Sequence, residues 1–279
     1  MINKNFKLKT YKMKKTSLFA FIGLALVFNS CKKEEPTGTA SISNVSTEQK
    51  VLVMNITGTW CGNCSGRGIP NFEQQFTDHP NKVCGIGVHF DNNGQAPLDP
   101  FPATKVNSTI QSSYFGFGSL GFPAFVVGTN PLKDGPALDV IESSVEATLA
   151  LTPACGIGVS KTISGTVMTI NTKTIFLRDM PAAMYNIVIY VTEDNLSAEQ
   201  IGIGFINHQH VLRGIVKDVY TGINLTKAAV AKNAQFDGNY TFTLDSKWKA
   251  ADLHVIAAVY EVKSSKPVAF LNCNSDKNY

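Results

Sequence analysis

Cys61 and Cys64 stand three residues apart in Trp60-Cys61-Gly62-Asn63-Cys64, directly after the apolar run Val51-Leu52-Val53-Met54-Asn55-Ile56. Two thiols at that spacing reach each other along one helical turn and can close a disulfide. A pair that opens a helix is also reactive. The unpaired N–H groups and partial positive charge of a helix N-terminus favour a thiolate on the first cysteine. The chemistry available to such residues is thiol–disulfide exchange. Zinc would need a second ligand pair at matching spacing, and the sequence has no second Cys-x-x-Cys. His208-Gln209-His210 places two imidazoles on one face of a strand, but no third ligand is identifiable, so neither a metal nor another cofactor is expected.

The elements that must position the pair alternate between strand and helix. Lys50–Ile56 reads as a buried strand, Cys61 to about Thr77 as a helix, and Lys82–His89 as a second strand. A polar, proline-containing loop follows from Asp91 to Pro102, then a helix from about Ala103 to Tyr114. Phe115-Gly116-Phe117-Gly118 leads to the strand Pro123–Val127. An amphipathic helix over Pro136–Ala150 follows, with Leu138, Ile141, Val145 and Leu149 at helical spacing. This is a βαβ pattern with a partly parallel sheet, hence an α/β fold.

At Thr152-Pro153 the apolar period changes from 3.6 to 2. Gly156–Ile163, Thr166–Phe176, Tyr185–Thr192, Gln209–Val216, Tyr240–Leu244, His254–Val262 and Pro267–Leu271 read as strands of an all-β, immunoglobulin-like sandwich. Residues 49–151 and 152–279 are thus expected to form two domains. Cys84 lies in an apolar strand and reads as a buried inert thiol. Cys155 and Cys273 open and close the strands of the second segment, which leaves two alternatives. One is a structural disulfide, worth about 4–5 kcal/mol in the loop-entropy treatment. The other is two free core thiols.

The amino end reads as an export segment. Six lysines between Lys4 and Lys15 precede the apolar stretch Leu18–Phe28, which is too short for a comfortable membrane span. The stretch ends at Asn29-Ser30-Cys31. Phe28-Asn29-Ser30-Cys31 resembles a relaxed bacterial lipobox, which implies lipidation of Cys31, a signal peptide over residues 1–30 and a tether over 31–48. Lys32-Lys33-Glu34-Glu35 resembles the acidic tag that sends Bacteroidetes lipoproteins to the outer leaflet of the outer membrane. The implied address is the outer membrane, with the cell-surface or the periplasmic face as its two sides. Without residues 1–30 the formal charge passes from +4 to −2, with 19 basic against 21 acidic side chains. The basic balance therefore belongs to the export segment, and no nucleic-acid partner is expected. Export also places the thiols in an oxidising compartment.

Residues 49–151 resemble thioredoxin through three features in order: the strand into Trp60-Cys61-Gly62-Asn63-Cys64, the helix and strand after it, and Gly121-Phe122-Pro123-Ala124, which matches that family's cis-proline loop. The resemblance implies that Cys61 attacks a substrate disulfide and Cys64 resolves the mixed disulfide. Trp60 would cover the dithiol, and Pro123 would lie against it with the preceding backbone pairing to the substrate peptide. The implied partners are protein thiols and disulfides. Asn55 departs from the pattern, because thioredoxin keeps a buried aspartate there to manage the resolving cysteine's proton. Gly66 and Gly68 depart too, each costing about 0.8–1 kcal/mol in a helix relative to alanine. His208-Gln209-His210-Val211-Leu212-Arg213 resembles the His-Asn-His-Val-Leu-Arg signature of the Bacteroidetes twenty-eight-kilodalton outer membrane protein family. That family joins a thioredoxin-like domain to a β-sandwich behind a lipoprotein signal. Two functions follow as expectations. One is an exported, lipid-anchored thiol–disulfide oxidoreductase. The other is a surface binding or assembly module whose Cys-x-x-Cys is a permanently oxidised part of a scaffold.

Overall fold

Val51–Thr57 (β1) and Val83–His89 (β2) are buried at every position, on both faces. A strand buried on both sides needs a cover on each, and this requirement organises the whole molecule. The computed structural model describes residues 42, 45–92, 94–102, 121–218 and 221–277. Cys31, the expected export segment and the helix expected near Ala103–Tyr114 lie outside them. Residues Thr39–Tyr279 form one unit by their contacts.

β1 pairs in parallel with β2 and antiparallel with Ala124–Val127 (β3), which pairs with Asn130–Leu132 (β4). One face of these strands carries Val51, Val53, Val83, Phe125 and Val127. It is covered by Phe72 of Ile69–Asp78 (α1) and by Ile141 and Val145 of Leu138–Leu149 (α2). The opposite face carries Leu52, Met54, Ile56, Cys84, Ile86 and Val88, and no helix among the described residues packs on it. Its cover comes from the second segment: Met184–Glu193 (β7), Val211–Ile215 (β10), Leu253–Lys263 (β13) and Lys266–Ser275 (β14) supply Val188, Tyr190, Leu212, Ile256, Ala258, Tyr260 and Cys273 to the same core.

The two sets of strands are also one sheet. Its order is β14-β13-β7-β10-β2-β1-β3-β4, with Ile223–Thr226 (β11) pairing beside β10 on β7. The join is between β10 and β2, where Val211 faces Gly87 in parallel register. There the Gly87 N–H donates to the His210 carbonyl at 2.7 Å. The sheet curls until β14 lies near the start of β1. The Lys50 N–H donates to Asn272 Oδ1 at 2.9 Å and Lys50 Nζ to Asn274 Oδ1 at 2.8 Å. The outer faces of β7 and β13 pack on a second sheet of Gln235–Thr243 (β12), Val167–Phe176 (β6) and Cys155–Ser164 (β5), in the order β12-β6-β5.

The expected α/β domain followed by a separate immunoglobulin-like sandwich is therefore corrected. The described residues hold fourteen strands against two α-helices, and β1–β4 are continuous with the strands of the second segment in one mixed sheet. The period change at Thr152-Pro153 marks where amphipathic helices end, and the sheet runs across it. The cause is the second apolar face of β1 and β2, which among the described residues the later strands cover.

The cysteines follow the same layering. Cys155, Cys273 and Cys84 are all buried free thiols. Cys273 lies with Cys84 in the core inside the curled sheet, whereas Cys155 lies in the core between the two sheets. In the structure Cys155 and Cys273 stand as free thiols, not as a disulfide. Burial pushes the Cys155 thiol up to about 12. Burial, and then a hydrogen bond with Cys84, push the Cys273 thiol well above its ordinary value.

Candidate functional site

β1 ends at Thr57, and the chain turns through Gly58 and Thr59 before reaching the two cysteines. Cys61 and Cys64 are joined by a disulfide with their Cα atoms 5.2 Å apart. Cys61 is 5% exposed and Cys64 fully buried, so the first sulfur is the one a partner could reach. The Cys64 N–H donates to Cys61 Sγ at 3.2 Å. A backbone donor at the start of a helix is thus aimed at the first sulfur, where it would stabilise a thiolate.

The helix opens with a π-helical turn over Cys64–Gly68, in which the Ile69 N–H reaches back to the Cys64 carbonyl. The cause is local: Pro70 lacks an N–H, and in an α-helix its ring would clash with the carbonyl four residues earlier, that of Gly66. The two glycines have different reasons. A Cβ on Gly68 would lie 2.9 Å from Pro123 Cβ, so this position must be glycine for the helix to meet Pro123. A Cβ on Gly66 would meet nothing within 4 Å, so packing gives no reason for glycine there.

Pro123 is buried and follows a cis peptide bond from Phe122. Its carbonyl accepts from the Gly135 N–H at 2.8 Å, and Asp134 Oδ1 accepts from the Gly121 N–H at 3.2 Å. Trp60 lies on this loop, its ring edge-on to Phe122 with centroids 5.0 Å apart. The Trp60 Nε1–H donates to the Phe90 carbonyl at 2.7 Å, which fixes the indole over the end of β2. Trp60, Cys61, Cys64 and Pro123 are therefore brought to one place.

Three contributions carry no local signal in the sequence. Asp99, 3% exposed, accepts from the Thr59 N–H at 2.7 Å, the Phe101 N–H at 2.8 Å and His89 Nδ1 at 2.9 Å. Burial alone would raise its carboxyl; the hydrogen bond and charge of His89, with those of Thr59 and Phe101, outweigh burial and hold it below its ordinary value. Asp99 thus ties the turn before Cys61 to the end of β2. The second contribution is a ribbon of Leu196–Gln200 (β8) and Gly204–His208 (β9), which belongs to the second segment. Gln200 Nε2 donates to the Cys61 carbonyl at 3.0 Å and to that of Gly58 at 3.3 Å, and the Ile201 N–H donates to the Thr59 carbonyl at 2.9 Å. The ribbon leaves Ile201, Ile203 and Phe205 exposed, and Ile201 lies 3.8 Å from the Cβ position of Gly62, between the two cysteines.

The third is a cavity of about 40 Å³ between β1, β2, α1 and β9, lined by Asn55, Thr57, Phe72, Glu73, His89 and His208 among others. Asn55 Oδ1, Thr57 Oγ1 and His208 Nε2 have no hydrogen-bond partner among the described residues. Burial first, then the charge of His89, push the His208 imidazole down to about 4, so it is neutral near pH 7.

The pair of histidines is split rather than placed on one strand face. β9 ends at His208, β10 starts at Val211, and His210 takes a φ of +59°. His208 packs edge-on to His89 at 5.2 Å and to Phe101 at 5.5 Å. His210 packs on Phe76 at 4.7 Å, and its N–H donates to Asp194 Oδ1 at 2.7 Å. Among the described residues no three His, Cys, Asp or Glu side chains are grouped to hold a metal ion.

No protein-family model matches the chain, and neither does any curated protein. Solved structures do. HBP35 of Porphyromonas gingivalis is 21% identical with a TM-score of 0.66, over 84% of this chain and 76% of that one. Protein AGR_C_4864 from Agrobacterium tumefaciens is 11% identical with a TM-score of 0.50, over 82% of this chain and 95% of that one. A domain of the outer membrane lipoprotein Omp28 from P. gingivalis matches at 15% identity and a TM-score of 0.31, over 46% of this chain and 90% of that one. At these identities the first two matches speak to the fold alone.

Proposed function

We propose that the chain exchanges disulfides with cysteine-containing polypeptides, with Cys61 attacking and Cys64 resolving. The observation that carries this reading is the Cys64 N–H aimed at Cys61 Sγ at 3.2 Å, on the more exposed of the two sulfurs. A Cys61 thiolate would attack one sulfur of a substrate disulfide and form a mixed disulfide, and Cys64 would then displace the reduced substrate. Trp60 and the Phe122-Pro123 loop border the pair and give an incoming backbone a rigid wall. An address at the outer membrane through a lipid on Cys31 belongs to the same proposal and rests on the sequence around that cysteine. Labelling with a palmitate analogue is expected to mark the wild type and to vanish in Cys31→Ser; labelling that survives would remove the anchor from the proposal.

A second reading is favoured by the β8–β9 ribbon. Gln200 binds the Cys61 carbonyl, and Cys61 is only 5% exposed, as suits a closed disulfide in a binding scaffold. One experiment separates the two readings. In the reduced protein, Cys61 is expected to alkylate first and faster than a free thiol at neutral pH. Cys64→Ser is expected to trap mixed disulfides with client polypeptides, and Cys61→Ser to trap none. Equal, slow alkylation of both cysteines with no trapped client would select the scaffold.

A further inference from the structure

The exchange reaction has a proton to move. When Cys64 resolves a mixed disulfide, a Cys61–Cys64 S–S bond forms and the bond from Cys61 to the substrate sulfur breaks. The electron pair of that broken bond leaves on the substrate sulfur as a thiolate. The Cys64 thiol must lose its proton to attack, yet Cys64 is fully buried and has no carboxylate on β1 beside it, only Asn55. A buried thiol loses its proton only to a group placed to take it.

The cavity below the helix supplies one. Its wall of Asn55, Ile69 and Phe72 joins β1 to the first turns of the helix. Asn55 Oδ1 lies 3.5 Å from the Cβ position of Gly68, four residues after Cys64 and therefore on the same helix face. Asn55 Oδ1, Thr57 Oγ1 and His208 Nε2 are each buried and without a partner among the described residues. A volume of about 40 Å³ admits water, which needs roughly 10–15 Å³ and two to four polar partners. His208 already hydrogen-bonds the backbone of Ala198, a bond that favours its charged form and so is a donated one. With Nε2 lacking a partner, this assigns the bound proton to Nδ1 and leaves a lone pair on Nε2.

We propose that the Cys64 proton crosses this cavity through water to His208 Nε2, and that His208 is the proton acceptor for the resolving step. The proposal rests on the exchange reading of Cys61 and Cys64. The proton is then handed on to the departing substrate thiolate, so the step closes with the dithiol oxidised and the substrate disulfide reduced. Burial keeps the imidazole unprotonated near pH 7, so its acceptor nitrogen is vacant when the Cys64 proton must leave. The titratable side chains around it are His89, with Asp99 behind it, and Glu73, which lines the cavity from α1.

The test is a single turnover of the reduced full-length protein with a bis(nitrobenzoate) disulfide, whose released thiolate absorbs visible light. Attack by Cys61 releases one equivalent, resolution by Cys64 releases the second, and the Cys61→Ser signal is subtracted. His208→Asn keeps an N–H for the Ala198 carbonyl and removes the acceptor. It is expected to leave the first phase unchanged and to slow the second about a hundredfold at pH 7. The second phase should recover in His208→Asn/Asn55→Asp, which puts a carboxylate into the cavity. In the wild type the second phase alone should slow in heavy water. An unchanged second phase in a folded His208→Asn protein would overturn the proposal, and so would a wild-type second phase insensitive to heavy water. Absence of the first equivalent in the wild type would instead overturn the exchange reading, and the relay with it.

Discussion

Expressed apart, residues 49–151 and 152–279 are each expected to lack a cooperative unfolding transition, and mixing the two pieces is expected to restore one. The reason is the core inside the curled sheet. Leu52, Met54, Ile56, Ile86, Val88 and Val126 are at most 1% exposed, and in the first piece alone they would lose the cover of Val188, Tyr190, Leu212 and Tyr260 on that side. At about 1.5–3 kcal/mol for each buried side chain, the loss exceeds about 9 kcal/mol, comparable to the whole stability of a typical domain. The second piece would lose β2 from beside β10 and expose Val188, Tyr190 and Tyr260. The measurement is urea unfolding of each piece and of the mixture, followed by tryptophan fluorescence and circular dichroism. A sharp, independent transition in residues 49–151 alone would show that the shared core is dispensable.

Asp99→Ala is expected to destabilise the folded chain by about 3–5 kcal/mol, the range for breaking one side of a buried, hydrogen-bonded pair. It leaves the Thr59 N–H, the Phe101 N–H and His89 Nδ1 without their carboxylate. It should also change the acid limb of stability. Asp99 is held below its ordinary value in the fold, so its contribution is complete above about pH 4 and fades as the pH falls through the lower folded value. His208 and His210 act in an earlier window. Both are pushed down to about 4, chiefly by burial, whereas an unfolded chain takes up their protons near 6.5. The unfolded state therefore binds more protons between about pH 6.5 and 4, and stability falls as the pH falls through that range. Urea midpoints measured from pH 7 to 3 should show both limbs in the wild type. In Asp99→Ala the upper limb should persist and the lower one shrink. Asp194 keeps part of the lower limb, since His254, Lys277 and His210 outweigh its burial and hold it low. Parallel profiles for the two proteins would remove Asp99 from the acid response.

Much of the site is legible in the amino-acid sequence, because it is local. The run into Trp60-Cys61-Gly62-Asn63-Cys64 forms a strand and a helix from neighbouring residues, and Pro123 carries its own backbone restriction. Strand positions are legible for the same reason, including β6, β7 and β13. What the sequence withholds is long-range. Nothing in the spacing of Asp99 and His89 says that they meet, since a polar loop lies between them. Gln200 reaches the Cys61 carbonyl from 139 residues away. The fold class fails where one observation points two ways. An apolar run such as Val51–Ile56 suits a strand between two layers of helices, and equally one with helices on one side and more sheet on the other. Gly66 and Gly68 look alike in sequence, yet only Gly68 meets Pro123.

Among the described residues, the three thiols outside the site are guarded by architecture alone. A chain that emerges amino end first presents Cys61, Cys64 and Cys84 together, while Cys273, on the last strand, arrives only at the end. Until β7, β13 and β14 close over the inner face of β2, Cys84 is an open nucleophile beside a pair built for exchange. The interval between first and last strand is a race between pairing Cys61 with its near neighbour and scrambling with Cys84. Proximity favours the near pair, since Cys64 is three residues from Cys61 and Cys84 lies twenty residues further on. Resistance of Cys84, Cys155 and Cys273 to alkylation then serves as a stamp that the last strand has docked.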